Sequence, residues 1–197
     1  PGDSPARAAI RRIERAAERA AGLTHQLLAY SGKGRFLIEQ ISLPRLVEEM
    51  SELLRLSLAH KAELRLDLGP GCPPVRGDAS QLRQVVMNLI TNAADASVDR
   101  GGAIEVRVGQ LDVDAAWLRS ARSADGVDPG RFCFVEVVDS GIGMAPATVD
   151  RMFDPFFSTK ESGHGLGLAA VLGIVKGHGG AVDVHSRPDV GTRFRVL

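Results

Sequence analysis

The chain has 197 residues, and its 24 Lys and Arg balance 24 Asp and Glu, so the formal net charge is zero. That length suffices for one full core plus an appended element, and the neutral balance excludes bulk attraction to nucleic acid or an anionic membrane. No apolar run approaches membrane-spanning length and no signal peptide opens the chain, which reads as cytoplasmic, with membrane anchoring of a longer protein left open.

From about Ala6 to Ser31 the sequence predicts one long helix. Ile10, Ile13, Ala17, Ala20, Thr24 and Leu27 recur at spacings of three and four, the seam of a coiled coil or bundle. Gly32-Lys33-Gly34 ends it. A helix with such a seam needs a partner, so residues 1–34 read as a fragment of a larger bundle and 35–197 as a separate unit.

The second unit alternates helices and strands. Phe36 to Ile41 is a predicted strand, and Ser42 caps a helix running to about His60, with Pro44 in its first turn. Ala62 to Leu68 alternates as a strand, and Gly69-Pro70-Gly71 and Pro73-Pro74 are turns. Asp78 caps the next helix, with Gln81 in the capping-box position. Strands follow at Ala103 to Leu111 and Phe132 to Val138, separated by a polar surface excursion containing Trp117 and Asp128-Pro129-Gly130. A short helix at 145–152, a loop, a helix from about Gly165 to Gly177, and strands at Gly180 to Ser186 and Thr192 to Leu197 complete an α+β sandwich. Cys72 and Cys133, the two cysteines, lack metal-ligand spacing and read as reduced, partly buried thiols.

Four stretches carry chemistry. Asn88 and Asn92 are the chain's two asparagines; on a helix they share a face with Gln84 and Asp95, opposite Leu82, Val85, Val86, Leu89 and Ala93. An amide row beside a core is satisfied either by solvent or by a bound metal or ligand. Asp139 ends an apolar strand and precedes Ser140-Gly141-Ile142-Gly143, which reads as an ordinary turn or as a carboxylate offered to an exocyclic amine such as that of adenine. Phe153-Asp154-Pro155-Phe156-Phe157-Ser158-Thr159-Lys160 joins an aromatic anchor to groups that seek phosphate, although Lys160 reads equally as a surface lysine. Gly163-His164-Gly165-Leu166-Gly167 opens a helix whose free amides suit an anion, a weak signal alone. No GxxxxGK[ST] phosphate loop is present.

Taken in order with Gly191-Thr192-Arg193-Phe194, these stretches resemble the N, G1, F, G2 and terminal G boxes of the catalytic ATP-binding domain of bacterial sensor histidine kinases, in the GHKL superfamily. Their wording is most similar to hybrid and nitrogen-regulation-type kinases, and the likeness covers residues 36–197. The resemblance implies a two-layer α/β sandwich of the Bergerat type, preceded by one long helix similar to the second helix of the dimerisation and phosphotransfer hairpin. It implies binding of ATP and ADP with Mg²⁺ and transfer of the γ-phosphate to a histidine. Asp139, supported by Thr192, would hold adenine, with Gly141 and Gly143 shaping its pocket. Asn92 would ligate Mg²⁺, beside Asp95. Asn88 and Lys160 would act on the phosphates. Gly163, His164, Gly165, Leu166 and Gly167 would frame a lid, with 158–164 ordering on nucleotide. The partners implied are the kinase's own phosphotransfer helix, a response-regulator receiver domain and a second copy of the full-length protein, with no nucleic acid.

One departure stands out. The family's acceptor histidine, followed by an acidic residue, has no counterpart; His25 falls on the apparent second helix, and His60, His178 and His185 read as structural. The chain therefore looks like a fragment that binds ATP without autophosphorylating. The alternatives are a GHKL-type ATPase, which would need a glutamate where Asn88 stands, and a nucleotide-binding regulatory module without turnover.

Overall fold

The computed structural model describes residues 37–58, 62–69, 71–98, 102–160 and 165–197. The long helix expected before residue 35, His25, His60, Gly163 and His164 lie outside them. The elements run β1 (Glu39–Ile41), α1 (Leu43–Leu58), β2 (Glu63–Leu68), β3 (Val75–Gly77), α2 (Ala79–Ser97), β4 (Ala103–Val113), α3 (Ala115–Ser120), β5 (Gly130–Asp139), α4 (Pro146–Arg151), α5 (Gly167–Gly177), β6 (Val182–Arg187) and β7 (Gly191–Val196).

Two elements beyond the expected ones have plain causes. β3 lies between the Pro73-Pro74 turn and the cap at Asp78; three residues are too few to show a period, and it exists because it pairs antiparallel with β1. The polar excursion contains α3, whose first turn is closed by the Asp114 carboxylate accepting from Trp117 N at 2.7 Å.

β2, β4, β5, β7 and β6 form a five-stranded sheet in that order, parallel between β2 and β4 and antiparallel elsewhere. α1, α2 and α5 form the second layer, with α2 between the other two. Strand alternation sends Ile104, Val106, Val135, Val137 and Phe194 to the helices, where they meet Val86, Leu89, Ile90 and Ile174 in one core. Among the described residues no helix is long and apolar enough to cross a membrane.

The opposite face of the sheet is ionic. Glu136 is only 1% exposed, yet it points away from the core. Arg195 donates to it at 2.6 and 2.8 Å, and Arg107 and Arg193 lie at 3.5 and 3.7 Å. Arg193 also bonds Asp183 at 2.9 Å. Glu136 is thus buried by its partners' side chains, which carry much of their length as apolar stem.

Asp78 ties three parts of the fold together. Its carboxylate accepts from Ser80 N and Gln81 N at the start of α2 and from Leu37 N at 3.0 Å; its own amide donates to His178 Nε2 at 3.0 Å, at the end of α5. Burial works against its charge, but the bonds from Ser80, Leu37 and Gln81 outweigh it and hold the carboxyl below the usual range. A depressed carboxyl stabilises the fold above its unfolded pKa of about 3.9, and the benefit disappears as pH falls through the folded value. Asp78→Ala is expected to cost about 1–2 kcal/mol at pH 7. In urea unfolding the gap from wild type should narrow below about pH 4; a gap independent of pH would show that the charge is not what caps α2.

Candidate nucleotide-binding site

The site forms where β5 ends beside α2. Register places Asp139 opposite Ile104 and Thr192, so its side chain shares the core face and is only 7% exposed. Burial pushes its carboxyl pKa up, and backbone bonds from Gly141 (2.9 Å) and Thr192 hold part of that rise back.

The loop after Asp139 is locked by close backbone approach. Ile142 N donates to Ala96 O at 3.0 Å, and a Cβ on Gly141 would stand 2.6 Å from the Ala96 carbonyl carbon. Gly143 has φ +64° and faces the Arg187 carbonyl. From the other side Ser186 Oγ accepts from Met144 N at 2.8 Å and lies 2.9 Å from Thr192 Oγ1. Asp139, Gly141, Gly143 and Thr192 are therefore one rigid unit.

On α2 the predicted amide face is present: Val85, Val86, Leu89, Ile90 and Ala93 are buried, and Asn88 and Asn92 are half-buried on the other side. The two asparagines differ in what they touch. Asn88 Nδ2 donates to Gly167 O at 3.1 Å, linking α2 to the start of α5. Asn92 Oδ1 accepts from Lys160 Nζ at 3.2 Å, and Asp95 Oδ2 lies 3.0 Å from the same ammonium. Two hard oxygens thus already hold a cationic group, which is the donor chemistry Mg²⁺ uses with one or two protein oxygens plus phosphates and water. Among the described residues no group of three or more His, Cys, Asp or Glu is placed to hold a metal without a co-ligand.

The aromatic segment is divided. Phe153 and Phe157 are half-buried, whereas Phe156 is 66% exposed with φ +67°. Its amide donates to Gly165 O at 2.9 Å, and Gly165, at φ +65°, sits so near that a Cβ would stand 2.6 Å from Phe157 N. Leu166, buried at 2%, and Gly167 then lead into α5, and a Cβ on Gly167 would lie 3.9 Å from both Asn88 Oδ1 and Asn92 Nδ2.

A cavity of about 420 Å³ unites these parts, within the range of small-ligand sites. Asn92, Asp95, Asp139, Gly143, Lys160, Gly165, Leu166, Gly167 and Thr192 all line it. Gly141 supports the wall against α2, and Asn88 lies behind the end formed by Gly167 without lining the cavity. Sequence reading missed the apolar walls: Met144, Met152, Leu168 and Phe194. Phe194 was accessible from strand alternation two residues after Thr192; the methionines carried no pattern. A wider depression of about 680 Å³ opens on the ionic face, but its Arg65, Glu105 and Arg193 already hold ion pairs within the sheet. His178 and His185 lie away from the cavity: His178 bridges α2 and α5, and His185 pairs with Asp183 at 3.3 Å.

Sheet, helix layer and cavity together define a two-layer α/β nucleotide-binding sandwich. Residues 77–197 match the family described as histidine kinase-, DNA gyrase B- and HSP90-like ATPase, and the chain belongs to that family. Sensor kinase CckA of Brucella abortus is 36% identical over 193 residues, 95% of this chain and 20% of the relative. The sensory histidine kinase/phosphatase NtrB of Rhizobium meliloti is 35% identical over 161 residues, 80% of this chain and 40% of the relative. The chain thus spans between a fifth and two fifths of these relatives. A solved mycobacterial sensor histidine kinase, MprB, superposes with TM-score 0.64 at 27% identity, covering 81% of this chain and 95% of that one. Full-length ShkA in complex with AMPPNP superposes with TM-score 0.76 at 21% identity, covering all of this chain and 39% of that one; at that identity the likeness is one of fold.

Proposed function

We propose that this chain is the ATP-binding catalytic part of a two-component sensor histidine kinase, transferring the γ-phosphoryl group of ATP to a histidine on a phosphotransfer helix. The observation that carries the reading is the cavity itself, which joins groups from five separated sequence boxes, Asp139 and Asn92 among them. Asp139 accepts the adenine amine, and Thr192 and Gly143 shape the space around it. Asn92 and Asp95 form the oxygen pair for Mg²⁺, which when bound would offset phosphate charge. Lys160, together with the Gly165–Gly167 turn and the amides of α5, faces the phosphates; Gly163 and His164 belong to the same lid. Asn88 holds the α2 and α5 faces of the phosphate end together. Such a site works by positioning and charge stabilisation, which is what phosphoryl transfer needs most.

Asn88 also weighs against a water-using ATPase, because an amide cannot take a proton from water and this one is engaged with Gly167 O. Residues 1–34 would then be the second hairpin helix, 35–197 the catalytic unit, and the full-length protein a cytoplasmic-facing homodimer that passes phosphate to a response regulator. Incubation with γ-labelled ATP should show binding without label on histidine. Adding a hairpin that carries an acceptor histidine should produce an acid-labile, base-stable phosphoramidate on that hairpin. Stoichiometric label on His25, or rapid multiple-turnover hydrolysis, would remove this reading in favour of a different acceptor or an ATPase.

The metal assignment has its own test. Asn92→Ala should abolish most of the Mg²⁺ enhancement of ATP affinity and leave adenosine binding nearly intact. The removed oxygen is a phosphate-end ligand, and the adenine wall is built on a different loop. Calorimetry with and without Mg²⁺ that gives equal enhancement in both proteins would place the metal elsewhere.

A further inference from the structure

The chain's two cysteines are 61 positions apart, on unconnected elements, and the fold brings their sulfurs to a single carbonyl. Cys72 Sγ lies 3.8 Å and Cys133 Sγ 3.5 Å from Pro73 O. The approach is built by the sheet. The segment after β2 is held down by Gly69 N donating to Val108 O at 2.9 Å and by Gln110 Nε2 donating to Gly71 O at 2.7 Å. Gln110 is the direct cross-strand neighbour of Cys133. Cys72 Sγ in turn reaches the Gly109 carbonyl at 3.9 Å. Both thiols are half-buried against the margin of the core, so each is reachable by a small solute.

We propose that Cys72 and Cys133 form a peroxide-sensitive dithiol that closes into an intramolecular disulfide, stapling the β2–β3 connection to β5 across β4. In the first step the Cys133 thiolate attacks one oxygen of a hydroperoxide. A sulfur–oxygen bond forms, the oxygen–oxygen bond breaks, and water (or an alcohol) leaves after protonation. In the second step Cys72 sulfur displaces that hydroxyl: the sulfur–sulfur bond forms, the sulfur–oxygen bond breaks, and a second water leaves. Two thiols are oxidised by two electrons and one peroxide is reduced by two.

The order of attack follows from the surroundings. The Cys72 thiol is pushed up to about 12, first by burial and then by its hydrogen bond to Cys133 and the charge of Cys133. Cys72 is therefore the slower to attack peroxide and acts second, as the resolving thiol, its proton leaving with the displaced hydroxyl as the second water. The pair sits at the far end of β5 from Asp139, six residues or about 20 Å away at ~3.4 Å per residue. It is thus a site separate from the nucleotide cavity.

The test is oxidation of the purified chain with hydrogen peroxide at low protein concentration. Intact mass should fall by two hydrogens per monomer, and a non-reducing peptide map should contain a Cys72–Cys133 linked species. The oxidised form should melt several degrees higher, and dithiothreitol should reverse the shift. Cys72→Ser should instead trap a dimedone adduct on Cys133, and Cys133→Ser should give no adduct. The proposal is overturned if both thiols stay free at peroxide doses that oxidise a model thiol, if the only disulfide joins two chains, or if Cys133→Ser is labelled as readily as Cys72→Ser.

Discussion

Asp139→Asn is expected to weaken ADP and ATP alike by about tenfold or more, while leaving the unliganded fold as stable as wild type or more so. The first half rests on a carboxylate accepting a hydrogen bond from a buried ligand, an interaction worth about 1.5–3 kcal/mol when one partner is charged. The second half rests on burial. Asp139 is 7% exposed, its pKa is raised by that burial, and its backbone bonds recover only part of the cost. A raised carboxyl contributes most to stability below its unfolded value of about 3.9, and the contribution is lost as pH rises through the folded value. At pH 7 the folded chain therefore carries an unfavourable buried charge that Asn removes, whereas near pH 4 the two proteins should converge. Gly141 N keeps an acceptor in Asn, so the loop is not undone. Calorimetry with ADP and urea unfolding at the two pH values measure both halves. Unchanged ADP affinity, or a variant clearly less stable at pH 7, would show that Asp139 serves the loop and not a ligand.

Gly143→Ala is expected to be among the most damaging small substitutions in the site, for two reasons that can be separated. Its φ of +64° is left-handed, which costs an L-residue roughly 1–2 kcal/mol. The added methyl would also meet the Arg187 carbonyl, with the carbon at 2.7 Å and Gly191 O at 3.2 Å. Overpacking of that kind adds about 1–3 kcal/mol, because backbone cannot swing aside as a flexible side chain can. The sum, about 2–5 kcal/mol, is a large share of the ~5–15 kcal/mol that holds a domain together. The loop also lines the cavity, on the side the proposed function gives to adenine, so nucleotide affinity should fall with stability. Gly126 is a built-in control: its φ is +74° and a Cβ there would meet nothing within 4 Å. Gly126→Ala should therefore show the conformational cost alone. Equal losses for the two variants in denaturant unfolding would mean that Gly143 is needed for its backbone angle only, and that the approach of β6 does not matter.

How the chain's elements were legible follows from their length and pattern. α2 announced itself through a cap at Asp78 and a stripe from Leu82 to Ala93, and both are present. β4 and β5 extended beyond their predicted ends, to Val113 and Gly130, because mutual pairing carries them past the apolar alternation. β3 and α3 were not legible, since each is too short to show a period and depends on one partner strand or one capping side chain. Within the site, residue types were legible and their directions were not. Asn88 and Asn92 are four apart on one helix, yet one bonds α5 and the other meets Lys160; only the arrival of residues 160 and 167 distinguishes them.

The order of boxes and the chemistry of their side chains were in the sequence: a carboxylate before glycines, an amide pair, and a glycine-opened helix, all on an α+β pattern. These are local properties, set by residue type and by periods of 2 and 3.6 along the chain. The tertiary structure alone decided what lies opposite each group. Glu136 sits in an apolar run, and its burial comes from three arginines on neighbouring strands facing outwards. Cys72 and Cys133 carry no spacing signal, and a sheet register unites them. Cross-strand neighbours and closely approaching loops are set by which strands pair and in what register, and that choice is made by burial of the whole core at once, beyond the reach of any short stretch of sequence.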